Sequence, residues 1–324
     1  MKSKGLVNVD NRPPRIAYMC SRDNTYVQSQ WAAWQMGGIA VPIAENYPAS
    51  EIAYVLKDCG ASFVLADSAK FPLISQVAAE MKLPLVEVPR MAPCKSDLSS
   101  RESTAIPAPP YPGGDCWSEN GGGGALMVYT SGTTGRPKGV LTSHKGLVRQ
   151  ITALTEAWGW VSSDHTYSVL PLHHVHGIVA ILNSSVWSGA VCEIPPRFQA
   201  ADTWEALTRP PGSPKGQITV FMAVPTVYSK LLEYYDAQST QRQSQLSAAL
   251  RPPHSRIRLM VSGSAALPQS VAERWREVSG HTLLERYGPW RVRAKRVEDK
   301  PLLTHTHTHT HKKQPTSIPP HPQV

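Results

Sequence analysis

The sequence predicts an α/β fold of mostly parallel sheets flanked by helices, and three observations carry that prediction. Short apolar segments alternate with helical periodicities from residue 24 to 89 and again from 125 to 288. Alternation of this kind builds parallel sheets with helices on their faces. A glycine- and hydroxyl-rich run, Tyr129 to Gly139, follows directly on the apolar segment Ala125 to Val128. Its position is that of a ligand loop at the end of a strand. No apolar stretch approaches the roughly 18 residues of a membrane span.

The elements follow in order. Ser50 is placed to N-cap a helix whose apolar residues Ile52, Val55, Leu56 and Cys59 recur at helical spacing, and Gly60 is placed to end it. Strands are predicted at 39–43, 62–66 and 85–88. From 89 to 124 Pro, Ser and Gly dominate, closing in Gly121 to Gly124, which reads as a linker or long surface loop. Beyond it, strands are predicted at 125–129, 166–170, 190–194, 218–224, 257–262 and 282–287. Helices are predicted at 145–158, 178–187, 226–236 and 269–278, with Gly189 and Gly280 where terminating glycines belong. The resulting organisation is a first α/β unit (1–88), the loop (89–124), a second α/β unit (125–288) and a disordered tail (289–324).

Charge narrows the function. The chain of 324 residues carries a net charge of +9, but from Pro289 onward seven Lys/Arg face two Asp/Glu, so +5 lies in the last 36 residues. A mildly basic body suits anionic small substrates, and without an aromatic-plus-basic stacking pattern nucleic acid is not a predicted partner. Five scattered cysteines form no Cys-x-x-Cys pair, which reads as a reducing compartment. The repeat Thr304 to His311 alternates Thr and His, as an AC dinucleotide tract read in one frame would encode. An intronic or shifted-frame origin is expected for this tail, with metal chelation by its histidines as the alternative.

The chemistry lies in the run Thr130, Ser131, Gly132, Thr133, Thr134, Gly135, Arg136, Pro137, Lys138. Glycines let backbone approach a ligand, and successive N–H groups, hydroxyls and an ammonium make a concave anion site fit for a triphosphate. It is not a Walker A loop, because Lys138 stands between Pro137 and Gly139 rather than after Gly and before Ser or Thr. Leu170-Pro-Leu-His-His-Val-His-Gly177 brings three histidines together without a Cys or acidic partner at metal spacing, so no metal site is assigned.

The whole Tyr129–Gly139 run resembles the phosphate loop of the adenylate-forming superfamily, which includes acyl-CoA synthetases, luciferases and adenylation domains. Val261-Ser-Gly-Ser-Ala-Ala-Leu-Pro268 resembles that superfamily's adenine-facing turn, and Leu284-Glu-Arg-Tyr-Gly288 the start of its Tyr-Gly-x-Thr-Glu motif. The resemblance implies ATP, Mg²⁺ and coenzyme A as cofactors and co-substrates. It implies Thr130–Gly135 and Lys138 on the phosphates, and Ser262, Gly263, Ser264, Ala265, Tyr287 and Gly288 on the adenine. It implies His174 lining the acyl pocket. Runs such as VFMAVPTVY and GHTLLERYG resemble the malonyl-CoA synthetase branch in particular. There Arg286, in a place where fatty-acyl relatives have glycine, would hold the second carboxylate of a short dicarboxylate such as malonate by bidentate hydrogen bonds. An Arg286 paired with Glu285 or Glu273 is the alternative, and Lys230 is a weaker second candidate.

Pro289, Trp290 and Arg291 occupy the places of x, Thr and the Mg²⁺-binding Glu. The resemblance therefore implies a part of the large amino-terminal domain, without its opening segment, the ribose-binding Asp, or the small domain with the adenylation Lys. No catalytic residue is assigned. Impaired ligase activity and poor solubility are expected, with a non-catalytic nucleotide-binding fragment or a medium-chain acid as alternatives. The resemblance implies mitochondria for a full-length relative; the chain as written, lacking a recognisable presequence, would stay in the cytoplasm.

Overall fold

The computed structural model describes residues 13–90, 123–130 and 136–286. Two sheets hold all eleven strands of the described residues. The first contains β1 (Arg15–Met19), β2 (Ile39–Pro42), β3 (Phe63–Asp67), β4 (Leu85–Val88), β5 (Gly124–Thr130) and β6 (Lys138–Ser143), in the order β4-β3-β1-β2-β5-β6. All its pairings are parallel except β5–β6, which is antiparallel. β5 and β6, assigned from sequence to the second unit, thus complete the sheet of the first.

The second sheet is parallel throughout. Its strands β7 (His165–Tyr167), β8 (Val191–Glu193), β9 (Val220–Ala223), β10 (Leu259–Gly263) and β11 (Leu284–Arg286) run in the order β11-β10-β9-β7-β8.

Helices α1 (Asn24–Gln35), α2 (Ala49–Cys59), α3 (Phe71–Glu80), α4 (His144–Ala157), α5 (Ser184–Trp187), α6 (Ala200–Leu207), α7 (Pro225–Asp236), α8 (Thr240–Leu250) and α9 (Gln269–Ser279) supply the crossovers. α2 shows the local logic. Ile52, Val55, Leu56 and Cys59 are buried, and Gly60 ends the helix at φ +61°. Pro48, not Ser50, takes the N-cap place, because its extended backbone turns the chain in two residues early and leaves Ser50 in the first turn. α4 begins as its sequence suggests: the Ser143 hydroxyl accepts from the Gly146 N–H at 3.1 Å.

The helix predicted over 178–187 begins earlier, and its first part, His176–Asn183, is wound as a π-helix before passing into α5. Wider π turns recur at functional sites. Gly177 sits where the chain doubles back: a Cβ there would lie 2.2 Å from the Pro171 carbonyl oxygen.

Tyr26 and Arg22 join the two sheets. The Tyr26 hydroxyl donates to the Leu172 carbonyl at 2.7 Å, and Arg22 Nη2 donates to the carbonyls of Ser168 and Leu170 at 3.1 and 2.9 Å. Both act on the stretch leaving β7, fixing the histidine segment beyond the carboxyl end of β1. A core cluster containing Tyr18, Leu126, Leu172, Ile178 and Leu182 fills the space between them.

Candidate functional site

Parallel α/β sheets bind ligands beyond the carboxyl ends of their strands, and Thr130, Lys138, Ser262, Gly263 and Arg286 stand at that end. On the first sheet, Thr130 ends β5 and Lys138 begins β6, directly opposite one another in the antiparallel register. The Thr130 hydroxyl reaches the Lys138 carbonyl at 3.5 Å, and the Lys138 side chain is exposed. Gly139 follows because a Cβ there would sit 3.0 Å from both Met127 Sδ and Tyr129 Cζ. Ser131, Gly132, Thr133, Thr134 and Gly135 lie outside the described residues, as do Tyr287 and Gly288.

On the second sheet, β10 ends in Ser262 and Gly263, both buried, and the chain then turns outward through exposed Ser264 and Ala265. Ser264 holds φ +68°, the left-handed region that side chains other than glycine rarely adopt. Such conformations cost on the order of 1 kcal/mol and gather at ligand sites. Gly263 is required by closeness: a Cβ would meet His176 Cε1 at 2.9 Å and the Arg286 carbonyl at 3.1 Å. The register pairs Gly263 with Arg286 across β10 and β11.

His176 is the residue that sequence reading did not assign. It is 4% exposed, and its Nδ1 shares a 3.0 Å hydrogen bond with the Ser264 hydroxyl. Burial, and then the positive charge of Arg286, push its pKa down to about 4, so the ring is neutral near pH 7. His174, the residue chosen from the resemblance, is exposed, and its ring lies 4.2 Å from that of His173. His173 in turn faces Tyr47 at 6.0 Å; burial, with His174 and Arg22 nearby, lowers its pKa to about 3. A feature of the sequence could have singled out His176: it alone of the three histidines immediately precedes the glycine that the tight turn demands.

Arg286 has neither of the two carboxylate partners weighed from sequence. Glu285 accepts from the Leu267 N–H at 3.3 Å, and Glu273 accepts from Gln269 at 2.7 Å. The guanidinium lies instead 5.7 Å above the Trp158 ring, half-buried, with its pKa lowered by burial. Trp158 is itself held, since its carbonyl accepts from Arg258 at 2.8 Å and Arg258 forks onto Asp164 at 2.9 and 2.5 Å. Lys230 is an exposed residue of α7.

Near this end of β10, the Ser262 hydroxyl and His176 Nε2 are buried without a hydrogen-bond partner. Buried polar atoms of this kind call for a partner, and their chemistry fits a ligand rich in polar edges. Among the described residues no group of three or more His, Cys, Asp or Glu gathers to hold a metal. No helix among them is long and apolar enough to cross a membrane. Cys20, Cys59 and Cys192 are free thiols.

Known proteins resemble this chain in sequence and fold. A human protein described as malonate–CoA ligase ACSF3, mitochondrial, is 43% identical over 88% of this chain and 47% of its own length. A malonate–CoA ligase of Arabidopsis thaliana is 34% identical over 85% of this chain and 44% of its own length. Among solved structures, ATP-bound MatB from Rhodopseudomonas palustris superposes with a TM-score of 0.65 at 26% identity, covering 86% of this chain and 50% of that one. A malonyl-CoA ligase ternary product complex with methylmalonyl-CoA and AMP gives a TM-score of 0.63 at 29% identity, over 85% and 51%. The chain thus spans about half the length of the relatives it matches. The sequence matches the AMP-binding enzyme family from residue 3 to residue 289, and with the strand-end geometry above this establishes that the chain belongs to that family.

Proposed function

We propose that this chain carries the nucleotide and acid sites of an ATP-dependent, AMP-forming acid–CoA ligase acting on malonate or a similar short dicarboxylate. The observation that carries the substrate class is Arg286: a half-buried guanidinium with no carboxylate partner among the described residues, stacked on Trp158 at the end of β11. A cation so placed favours a second carboxylate over an alkyl chain. The description of the human and Arabidopsis relatives as malonate–CoA ligases points the same way.

In the first half-reaction a carboxylate oxygen of the acid attacks the α-phosphorus of ATP. Pyrophosphate leaves and an acyl-adenylate remains. In the second, the CoA thiolate attacks the acyl carbon and AMP departs. Substitution at phosphorus depends on positioning and charge neutralisation more than on covalent help. Thr130 to Gly135 and Lys138 would hold the β- and γ-phosphates, with Mg²⁺ arriving on the nucleotide. Ser262 to Ala265, Tyr287 and Gly288 would bound the adenine. His176, neutral and tied to Ser264, would sit between the nucleotide turn and Arg286, and His174 would line the outer part of the acid pocket. Mitochondria are the compartment proposed, by analogy with the name of the human relative.

A second reading is favoured by Arg291, which stands where relatives carry the Mg²⁺-binding Glu. On it the chain binds nucleotide without turning it over. ATP–pyrophosphate exchange with malonate or butyrate separates the two. Loss of one charge-stabilising group lowers turnover about 10²–10³-fold, so exchange is expected at that deficit relative to a full-length ligase, and higher with malonate than with butyrate. Exchange at the full-length rate would overturn the impairment, and equal rates with the two acids would overturn the dicarboxylate assignment.

A further inference from the structure

Both legs of the glycine-rich run are tied to one helix. Tyr129 immediately precedes Thr130. It is 3% exposed, and its hydroxyl donates to Asp58 Oδ2 at 2.7 Å, with the Val55 carbonyl at 3.4 Å. Pro137 immediately precedes Lys138, and its carbonyl accepts from the Tyr54 hydroxyl at 3.0 Å. The Arg136 guanidinium lies 5.6 Å from the centre of the Tyr54 ring. Tyr54, Val55 and Asp58 all belong to α2, and positions four apart share one helix face.

The arrangement depends on local chemistry at each point. Pro137 has no N–H, so its carbonyl is the only backbone handle available there. Gly139 leaves the space that the Tyr129 ring crosses to reach Asp58, since a Cβ at 139 would lie 3.2 Å from the Tyr129 hydroxyl. Burial, and then the bond to Asp58, raise the Tyr129 pKa, so the phenol stays a donor. A phenol donating to a carboxylate makes a strong, short bond. α2 is rooted in turn: Val55, Leu56 and Cys59 pack in one core cluster with Met127 and Tyr129.

We propose that α2 is the brace that sets the position of the Thr130–Lys138 pair for phosphate binding, with Tyr54 and Asp58 as positioning residues. Neither side chain needs to touch the nucleotide. They fix the residues next to the two that do, so an error in either leg displaces the Lys138 ammonium from the phosphates. This inference rests on reading Thr130 and Lys138 as phosphate-binding residues.

The test uses the full chain and two ligands, MgATP and AMP, with affinities from calorimetry and melting midpoints for each variant. AMP lacks the β- and γ-phosphates, so it is blind to Lys138 placement. Removing one buried hydrogen bond typically changes an equilibrium about 3- to 10-fold. Tyr54→Phe, Tyr129→Phe and Asp58→Ala are each expected to weaken MgATP by about that factor, and the Tyr54→Phe/Tyr129→Phe double variant by tenfold or more. AMP affinity should stay within about twofold. If the double variant keeps the wild-type ratio of ATP to AMP affinity, the brace is refuted. Equal losses for ATP and AMP would refute it too, since they would mark a general effect on folding. A wild-type chain that binds ATP no more tightly than AMP would instead refute the phosphate-site reading itself.

Discussion

The β5–β6 end of the site and the β10–β11 end hold their polar groups in opposite ways. At β5–β6 the strands are tied to α2 by one hydrogen bond in each direction, while the charged group, Lys138, projects into solvent. At β10–β11 the charged and polar groups are withdrawn: Arg286 is half-buried over Trp158, His176 is buried, and the Ser262 hydroxyl and His176 Nε2 lack partners. An exposed ammonium on an anchored frame suits a highly charged, hydrated group that must enter and leave. Withdrawn, unpaired groups suit a ligand that replaces water and supplies the missing bonds, because low local dielectric strengthens each contact. The contrast teaches that binding at one end is governed by where the backbone is pinned, and at the other by what is left unsatisfied.

The largest effect that would break this contrast is predicted at Gly177. A Cβ would overlap the Pro171 carbonyl, which is backbone and cannot swing aside. Gly177→Ala should destabilise the chain by about 3 kcal/mol, read from urea unfolding, because the π-helix that carries His176 would have to shift. A loss below about 0.5 kcal/mol, the usual limit for harmless surface changes, would show that the turn is not tight.

Arg286→Gly comes next. Removing the cation should weaken malonate by roughly 10- to 100-fold, the range for a charge-assisted pair in a half-buried site, while butyrate is unaffected or improved. Equilibrium dialysis with both acids measures it. Unchanged malonate preference would leave Arg286 a structural residue stacked on Trp158.

The contrast also carries a pH dependence of stability. The native pKa values of His176 and His173 are lowered to about 4 and about 3, below the ordinary value of 6.5. Between those values the unfolded chain binds protons that the native chain refuses, so stability falls as pH drops from about 6.5 toward 4 and is full above 7. Each kcal/mol lost should lower the melting midpoint by about 2–4 °C at this size. A midpoint unchanged between pH 7 and pH 5 would contradict the burial of these rings.

Much of the fold was legible because its strands are short apolar runs bounded by turn residues. β4 falls on Leu85–Val88 as the sequence indicates, and β5, β9 and β10 lie within two residues of expectation. β6 was not legible: of Lys138–Ser143 only Lys138 and Gly139 were read, as the end of the glycine-rich run, and Gly139, needed to pass the Tyr129 ring, disguises its alternation. α8 was missed because Thr240–Leu250 is rich in Gln and Ser and buries only Leu246 and Leu250, leaving almost no periodicity to detect. The π turn at His176–Asn183 has no local signature, since it follows from the close passage of Gly177 over Pro171. The same cause hid His176. Which of three neighbouring histidines faces Ser264 depends on a helical phase, and the expected helix began two residues too late to include His176. The contact between Arg286 and Trp158 joins residues 128 positions apart in sequence and could only be seen once the sheet was assembled.

The central claim is that the β5–β6 end is a phosphate site. Calorimetric titration of the chain with MgATP and with AMP, in the wild type and in Lys138→Ala, tests it most directly. Lys138 is exposed, so the substitution should leave the fold intact. Loss of one charge-assisted contact should weaken MgATP by about tenfold and leave AMP unchanged. Equal affinities for MgATP in the two proteins would contradict the account.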